Sequence, residues 1–214
     1  ITIDSGDFSL RDGAQLTAST SGLGNAGNVT VRALDAVDLV DASIFSTVSA
    51  GGVGQGGNID ISAATLSLKD GAQLQTATRE ASTNTQPAGR GNAGNVNVNV
   101  TGIVDIAGEK NGFFSAIRSS VETGTVGNGG NITIDSGDFS LRDGAQLTAS
   151  TSGLGNGGNV TVRALNAASL ADASILSTVS AGGVGQGGNI DINAASFSLR
   201  DGAQLTASTS GLGN

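Results

Sequence analysis

The sequence predicts an all-β fold, a right-handed parallel β-helix (β-solenoid) with three short strands per coil, and three observations carry that prediction. A unit ending in Gly-Asn recurs along the whole 214-residue chain. Within each unit apolar residues alternate with polar ones at a period of two rather than 3.6, the pattern of half-buried strands. Composition is the third: 37% hydrophobic residues but only 3% aromatics, with 35 Gly and one Pro, requires a core of stacked small aliphatic side chains.

Cutting at Gly-Asn gives coils 1–28, 29–58, 59–95, 96–131, 132–159, 160–189 and 190–214, about seven coils of 25–37 residues. Coil 132–159 copies coil 1–28 with one change, Ala26 to Gly157, so a longer repeat of 131 residues overlies the short one. In the first coil Ile1 and Ile3 alternate with Thr2 and Asp4, Phe8 and Leu10 with Ser9 and Arg11, and Leu16 with Gln15 and Thr17. Ser5-Gly6 and Asp12-Gly13 supply the bends between these strands, and a Gly-rich loop over 21–28 closes the coil.

A strand of about five residues buries no face by itself, but stacked coils pair every strand with the ones above and below it. The first predicted inward ladder is Ile1, Val29, Ile59, Val96, Ile132, Val160 and Ile190, with Ile3 and its equivalents beside it. A second face stacks Leu10, Leu39, Leu68, Ile106, Leu141, Leu170 and Leu199. The third is read as Leu16, Phe45, Leu74, Leu147, Leu176 and Leu205. Seven rungs at about 4.8 Å make a rod segment about 34 Å long. Residues 1–214 read as one solenoid segment of a longer array, because neither end resembles a polar capping repeat.

Several function classes fall away on composition. Without Cys or His there is no thiol nucleophile, imidazole base, Cys/His zinc site or disulfide framework. Ten Lys and Arg are scattered among eighteen Asp and Glu for a net charge of −8, so no basic patch is available for nucleic acid. No apolar run approaches the roughly 20 residues that span a bilayer, so membrane insertion is not expected.

Two stretches and their copies carry a family resemblance: Gly-Asn-Ala-Gly-Asn-Val-Thr-Val at 24–31, and Leu-Arg-Asp-Gly-Ala-Gln-Leu-Thr-Ala-Ser-Thr-Ser-Gly-Leu-Gly-Asn at 10–25. The chain resembles, over essentially its whole length, the repeats of filamentous-haemagglutinin-type exoproteins, particularly the cyanobacterial ones. That resemblance implies a secreted right-handed β-helix exported by two-partner secretion, located at the outer cell surface and acting as an adhesin or extracellular fibre.

The residues themselves offer few sites. Asn28, Asn58, Asn95, Asn131, Asn159 and Asn189 recur before the first strand of the following coil, where stacked amides can hydrogen-bond from coil to coil, a structural ladder rather than a ligand site. Asp12, Asp41, Asp70, Asp143, Asp172 and Asp201 form a second ladder at equivalent corners. Asp before a turn is the ordinary corner choice; calcium bridging of stacked carboxylates, the single cofactor candidate, is the alternative. Pairing with Arg11, Lys69, Arg142 or Arg200 is a further way to hold them. Gly52–Gly57 satisfies G-x-G-x-x-G but precedes a strand instead of opening a helix, so it reads as a loop.

No enzyme is expected. The competing enzyme reading, a polysaccharide lyase or hydrolase, would have to use the non-repeating stretches, with Arg79, Glu80, Arg90, Glu109, Lys110, Arg118 and Glu122. Glu80, Thr83, Asn84, Gln86, Pro87 and Gly89 suggest instead a solvated insertion. An ice-binding solenoid would need an unbroken Thr-x-Thr array, which Ile44, Val48, Arg32 and Arg163 interrupt. The expected partners are further copies or neighbouring repeats, and cell-surface carbohydrate met weakly and repeatedly by outer Ser, Thr, Asn and Gln.

Overall fold

Branched aliphatics at alternate positions give every strand one apolar face, and in the computed structural model of the chain those faces turn inward on seven stacked coils. The structure describes residues 1–82 and 86–213. Strands pair with their equivalents in the neighbouring coils, all in parallel, making a β-solenoid. Third-face strands form a seven-stranded sheet, and the first- and second-face strands join into a twelve-stranded one. They join because in the last two coils one strand, Val160–Ala171 and then Ile190–Arg200, continues around the corner between the two faces, with an irregularity in register between Ala164 and Ala167.

Registers on the first two faces place the expected residues in line: Val31 on Ile61, Ile61 on Val98, Val98 on Ile134, and on the second face Leu39 on Leu68, Leu68 on Ile106, Ile106 on Leu141. Third-face register differs from the sequence reading. Leu16 pairs with Ile44 and Leu74 pairs with Ile44 and Ile117, while Leu147 and Leu205 pair with Ile175. The ladder is therefore Leu16, Ile44, Leu74, Ile117, Leu147, Ile175 and Leu205, and Phe45 and Leu176 point outward. The cause is a shorter corner: Asp41-Ala42-Ser43 and Asp172-Ala173-Ser174 reach the inward residue one position sooner than Asp12-Gly13-Ala14-Gln15.

Polar groups inside the solenoid are tied to the closing loops. Ser46 Oγ donates to the Gly27 carbonyl at 2.8 Å and accepts from the Gly57 amide at 3.0 Å. Ser119 repeats this with the Gly94 carbonyl and Gly130 amide, both at 2.8 Å. Where the equivalent residue is Ala18 or Ala149, the loop amide bonds that residue's own carbonyl instead. The Ser46 and Ser119 hydroxyls thus satisfy backbone groups that would otherwise be stranded.

Loop glycines set the stacking distance. A Cβ on Gly57, Gly94, Gly130 or Gly158 would run into the carbonyl of the equivalent glycine one coil earlier, respectively Gly27, Gly57, Gly94 and Gly130. Only a residue without a side chain allows backbone to approach backbone at that spacing.

Candidate functional site

Identical coils offer identical surfaces, so a distinct site must arise where the repeat breaks, and coil 96–131 breaks it most. At the corner where the other coils carry Asp in the left-handed region, with φ of 47° to 56°, this coil has Gly108 at φ 83°. Beyond it the chain makes a small hairpin, Glu109–Lys110 against Phe113–Phe114, the one antiparallel strand pair among the described residues. Asn111-Gly112, both at positive φ (54° and 81°), is the two-residue turn that suits the strand twist. Ser115 pins the hairpin's base, its Oγ donating to the Ala107 carbonyl at 2.6 Å and accepting from the Gly71 amide at 3.0 Å.

The hairpin stands over the third face and leaves a cleft on each side. One, of about 310 Å³, is walled by Phe45 and Phe113 and carries Gln15, Gln73, Asp41 and Lys110. The other, of about 390 Å³, has Phe114 beside Glu109, Asp143, Asp172, Gln146 and Gln204. Phe113 is 64% exposed in a chain with no Trp or Tyr. An aromatic face flanked by amides and carboxylates can stack on an apolar ring face and hydrogen-bond its hydroxyls.

Lys110 crosses the first cleft to Asp41 at 2.7 Å. The hydrogen bond that Lys110 donates to Asp41, helped by the Asp41 charge, raises the Lys110 pKa above the ordinary lysine value, with Asp12 and Asp70 adding to it. On the other side Arg142 donates to Asp105 at 2.9 Å and Asp143 at 2.6 Å, and the Asp105 bond leads the rise in its pKa.

The aspartate column expected from sequence is split by this coil: Asp12, Asp41 and Asp70 lie on one side and Asp143, Asp172 and Asp201 on the other, with Gly108 between. Cations of the protein hold some of them. Asp41 takes Lys110, Asp143 takes Arg142, and Arg200 lies 4.0 Å from Asp201, whereas Lys69 turns to Asp105 at 3.7 Å and Arg11 donates to Ser9. Among the described residues no three acidic side chains gather closely enough to hold a metal ion.

The other irregular stretch makes a separate cluster. Arg79 donates to Glu122 at 3.1 Å and to Gln75 at 3.1 Å, and the Glu80 amide donates to the other Glu122 oxygen at 3.0 Å. Arg118 lies on the same outer face beside Gln75, with its Nε buried and without a hydrogen-bond partner. Burial, and then the neighbouring Arg79 charge, lower its pKa. Glu109 is not part of this cluster but of the hairpin cleft, and Arg90 lies apart from both in the closing loop. Thr83 and Asn84 lie outside the described residues.

The six asparagines expected as a ladder form hydrogen bonds from coil to coil through Oδ1. Asn28 accepts from the Asn58 amide at 2.8 Å, Asn58 from Asn95 at 2.9 Å, Asn95 from Asn131 at 2.8 Å, Asn131 from Asn159 at 2.9 Å, and Asn159 from Asn189 at 2.8 Å. A second such column, which the sequence reading missed, runs through Asn25, Gln55, Asn92, Asn128, Asn156 and Gln186. Its signal is the pattern Gly-Asn/Gln-Gly/Ala-Gly-Asn in the first six loops. No family model, curated protein or solved structure matches this chain.

Proposed function

We propose that the chain is a structural repeat segment of a secreted, surface-displayed fibre or adhesin, serving as a rigid rod. One observation carries the reading: three strand faces and two side-chain amide columns are all hydrogen-bonded from coil to coil. Bending or stretching such a rod must break many bonds together, which suits a spacer. The resemblance of 10–25 and 24–31 to filamentous-haemagglutinin-type repeats supports export by two-partner secretion and a place outside the cell. The rod works without catalysis, and Glu122, a carboxylate at the base of the irregular insertion, is engaged by Arg79 and the Glu80 amide.

An ice-binding role finds less support, because the outward third-face column reads Thr17, Phe45, Gln75, Arg118, Thr148, Leu176 and Thr206 rather than a Thr ladder. The corner aspartates serve as turn formers, two of them paired with cations of the chain, Asp41 with Lys110 and Asp143 with Arg142. Carbohydrate contact is favoured at the Phe45–Phe113 cleft, where two aromatic rings, two glutamines and an ion pair line one groove.

Electron microscopy of the producing cells, with an antibody against this segment, tests the rod. Label along straight extracellular filaments with an axial repeat near 4.8 Å is expected; label confined to the cell interior overturns the proposal.

A further inference from the structure

The closing loops align one outward side chain per coil into a ridge. Leu23, Val53, Arg90, Val126, Leu154, Val184 and Leu212 are linked from coil to coil by parallel bridges. Six of the seven are aliphatic, and they are exposed, Leu23 at 91%, Leu154 at 50% and Val126 at 45%. Each is followed by a glycine, Gly24 to Gly213, and from the second coil onward a Cβ on that glycine would strike the previous coil's backbone. The ridge therefore stands beside a floor on which no side chain can grow. Beyond the floor lies the amide column of Asn25 to Gln186.

Charge distinguishes this face from the rest of the rod. The chain carries −8, yet residues 22–28 and their equivalents in every coil contain no charged side chain except Arg90. Two copies of an acidic rod repel wherever their carboxylates meet, and this strip is where that repulsion is absent. Its size also suits a partner of the same kind. Seven rungs of about 4.8 Å by seven residues of about 3.3 Å give roughly 700–800 Å² per copy, close to the ~800 Å² per partner of a stable specific interface.

We infer that the ridge is the contact line for a second copy of this chain, lying alongside in antiparallel orientation. Arg90 decides the direction. Parallel copies in register would set Arg90 against Arg90, whereas a two-fold axis through Val126 sets Arg90 opposite Leu154 and makes one isologous contact. Each copy's aliphatic side chains then seat on the glycine floor of the other. The inference rests on the reading of the chain as an assembling structural rod and names the face that assembles.

Sedimentation of the whole chain across a concentration series tests it, with circular dichroism to check that each variant keeps its β signal. Wild type is expected to form dimers, and Val126→Asp with Leu154→Asp is expected to raise the dimer dissociation constant at least ~tenfold. Thr133→Asp with Ser169→Asp, which add the same charge on the first and second faces away from any acidic register partner, should leave it within about twofold. The chain has no Cys, so Val126→Cys should cross-link to itself on oxidation, and a mixture of Arg90→Cys and Leu154→Cys chains should cross-link to each other. Cross-linking of Arg90→Cys to itself in preference to Leu154→Cys overturns the antiparallel arrangement. A chain that stays monomeric, or dimers that survive the ridge aspartates, overturns the ridge, while the rod itself stands or falls separately on the microscopy.

Discussion

Asn95 donates its backbone N–H to Oδ1 of Asn58 at 2.9 Å, so the amide side chain of one coil stands in for a missing strand partner in the next. Only the carbonyl end of Asn58 serves that bond. Asn58→Asp keeps an acceptor there and is expected to preserve most of the protection of the Asn95 amide. Asn58→Ala removes it and should cost about 1 kcal/mol. Hydrogen exchange of the Asn95 amide checks both, because a repeat rod need not unfold in one step and a global midpoint would blur a local loss.

The glycine columns are less forgiving. An alanine methyl at Gly94 would meet the Gly57 carbonyl, which is backbone and held by its own coil. Gly94→Ala is expected to cost more than about 3 kcal/mol, through strain that no side-chain rotation relieves. Gly22 has nothing within 4 Å of its Cβ position and no positive φ, so Gly22→Ala should be neutral or stabilise by up to about 1 kcal/mol. Urea titrations of the two variants beside wild type give the contrast; equal effects would discredit the close-approach account.

Arg79 and Arg118 sit in one cluster with opposite consequences. Arg79 answers the Glu122 carboxylate, and Arg79→Met would leave that carboxylate without its cation, costing about 1 kcal/mol. Arg118 is pressed into a desolvated position with its Nε unsatisfied and Gln146 at a long 3.4 Å. Methionine keeps the aliphatic stem and drops the guanidinium, so Arg118→Met should stabilise by about 1 kcal/mol. Thermal unfolding of both variants is the check, and a lowered midpoint for Arg118→Met contradicts it.

Much of the fold was legible because one branched aliphatic per alternate position leaves a single choice of face, as with Val29–Val31 and Ile59–Ile61. The third face was misread where two apolar residues are adjacent, Ile44-Phe45 and Ile175-Leu176. A period of two fits either phase there, and the corner length decides between them. The cleft around Phe113 was hidden for a related reason. By its period Phe45 reads as a core residue, and nothing in the sequence of 109–114 says that a hairpin will lean back onto Asp41, a residue of a coil two rungs away. The ridge was overlooked because a lone Leu or Val between glycines has no periodic partner within its own coil; its partners lie about 30 residues away in the stack.

The hairpin contact carries a pH dependence whose sign follows from the Lys110–Asp41 pair. Folding raises the Lys110 pKa, first through the Asp41 hydrogen bond, so the folded chain holds that proton more tightly than the unfolded one. The contribution of the contact is complete below the ordinary lysine value of about 10.4 and is lost as pH rises through the higher folded value. Loss of the Lys110 proton removes the cation and breaks the pair. Hairpin amides from Glu109 to Phe114 should therefore show the same order at pH 6 and pH 9, and loosen only at more alkaline pH, while the core strands stay protected. Lys110→Met should loosen the same amides at neutral pH and make them insensitive to the alkaline step. Backbone NMR relaxation of the hairpin follows both, and loosening between pH 6 and pH 9 would mean that some other group holds the hairpin down.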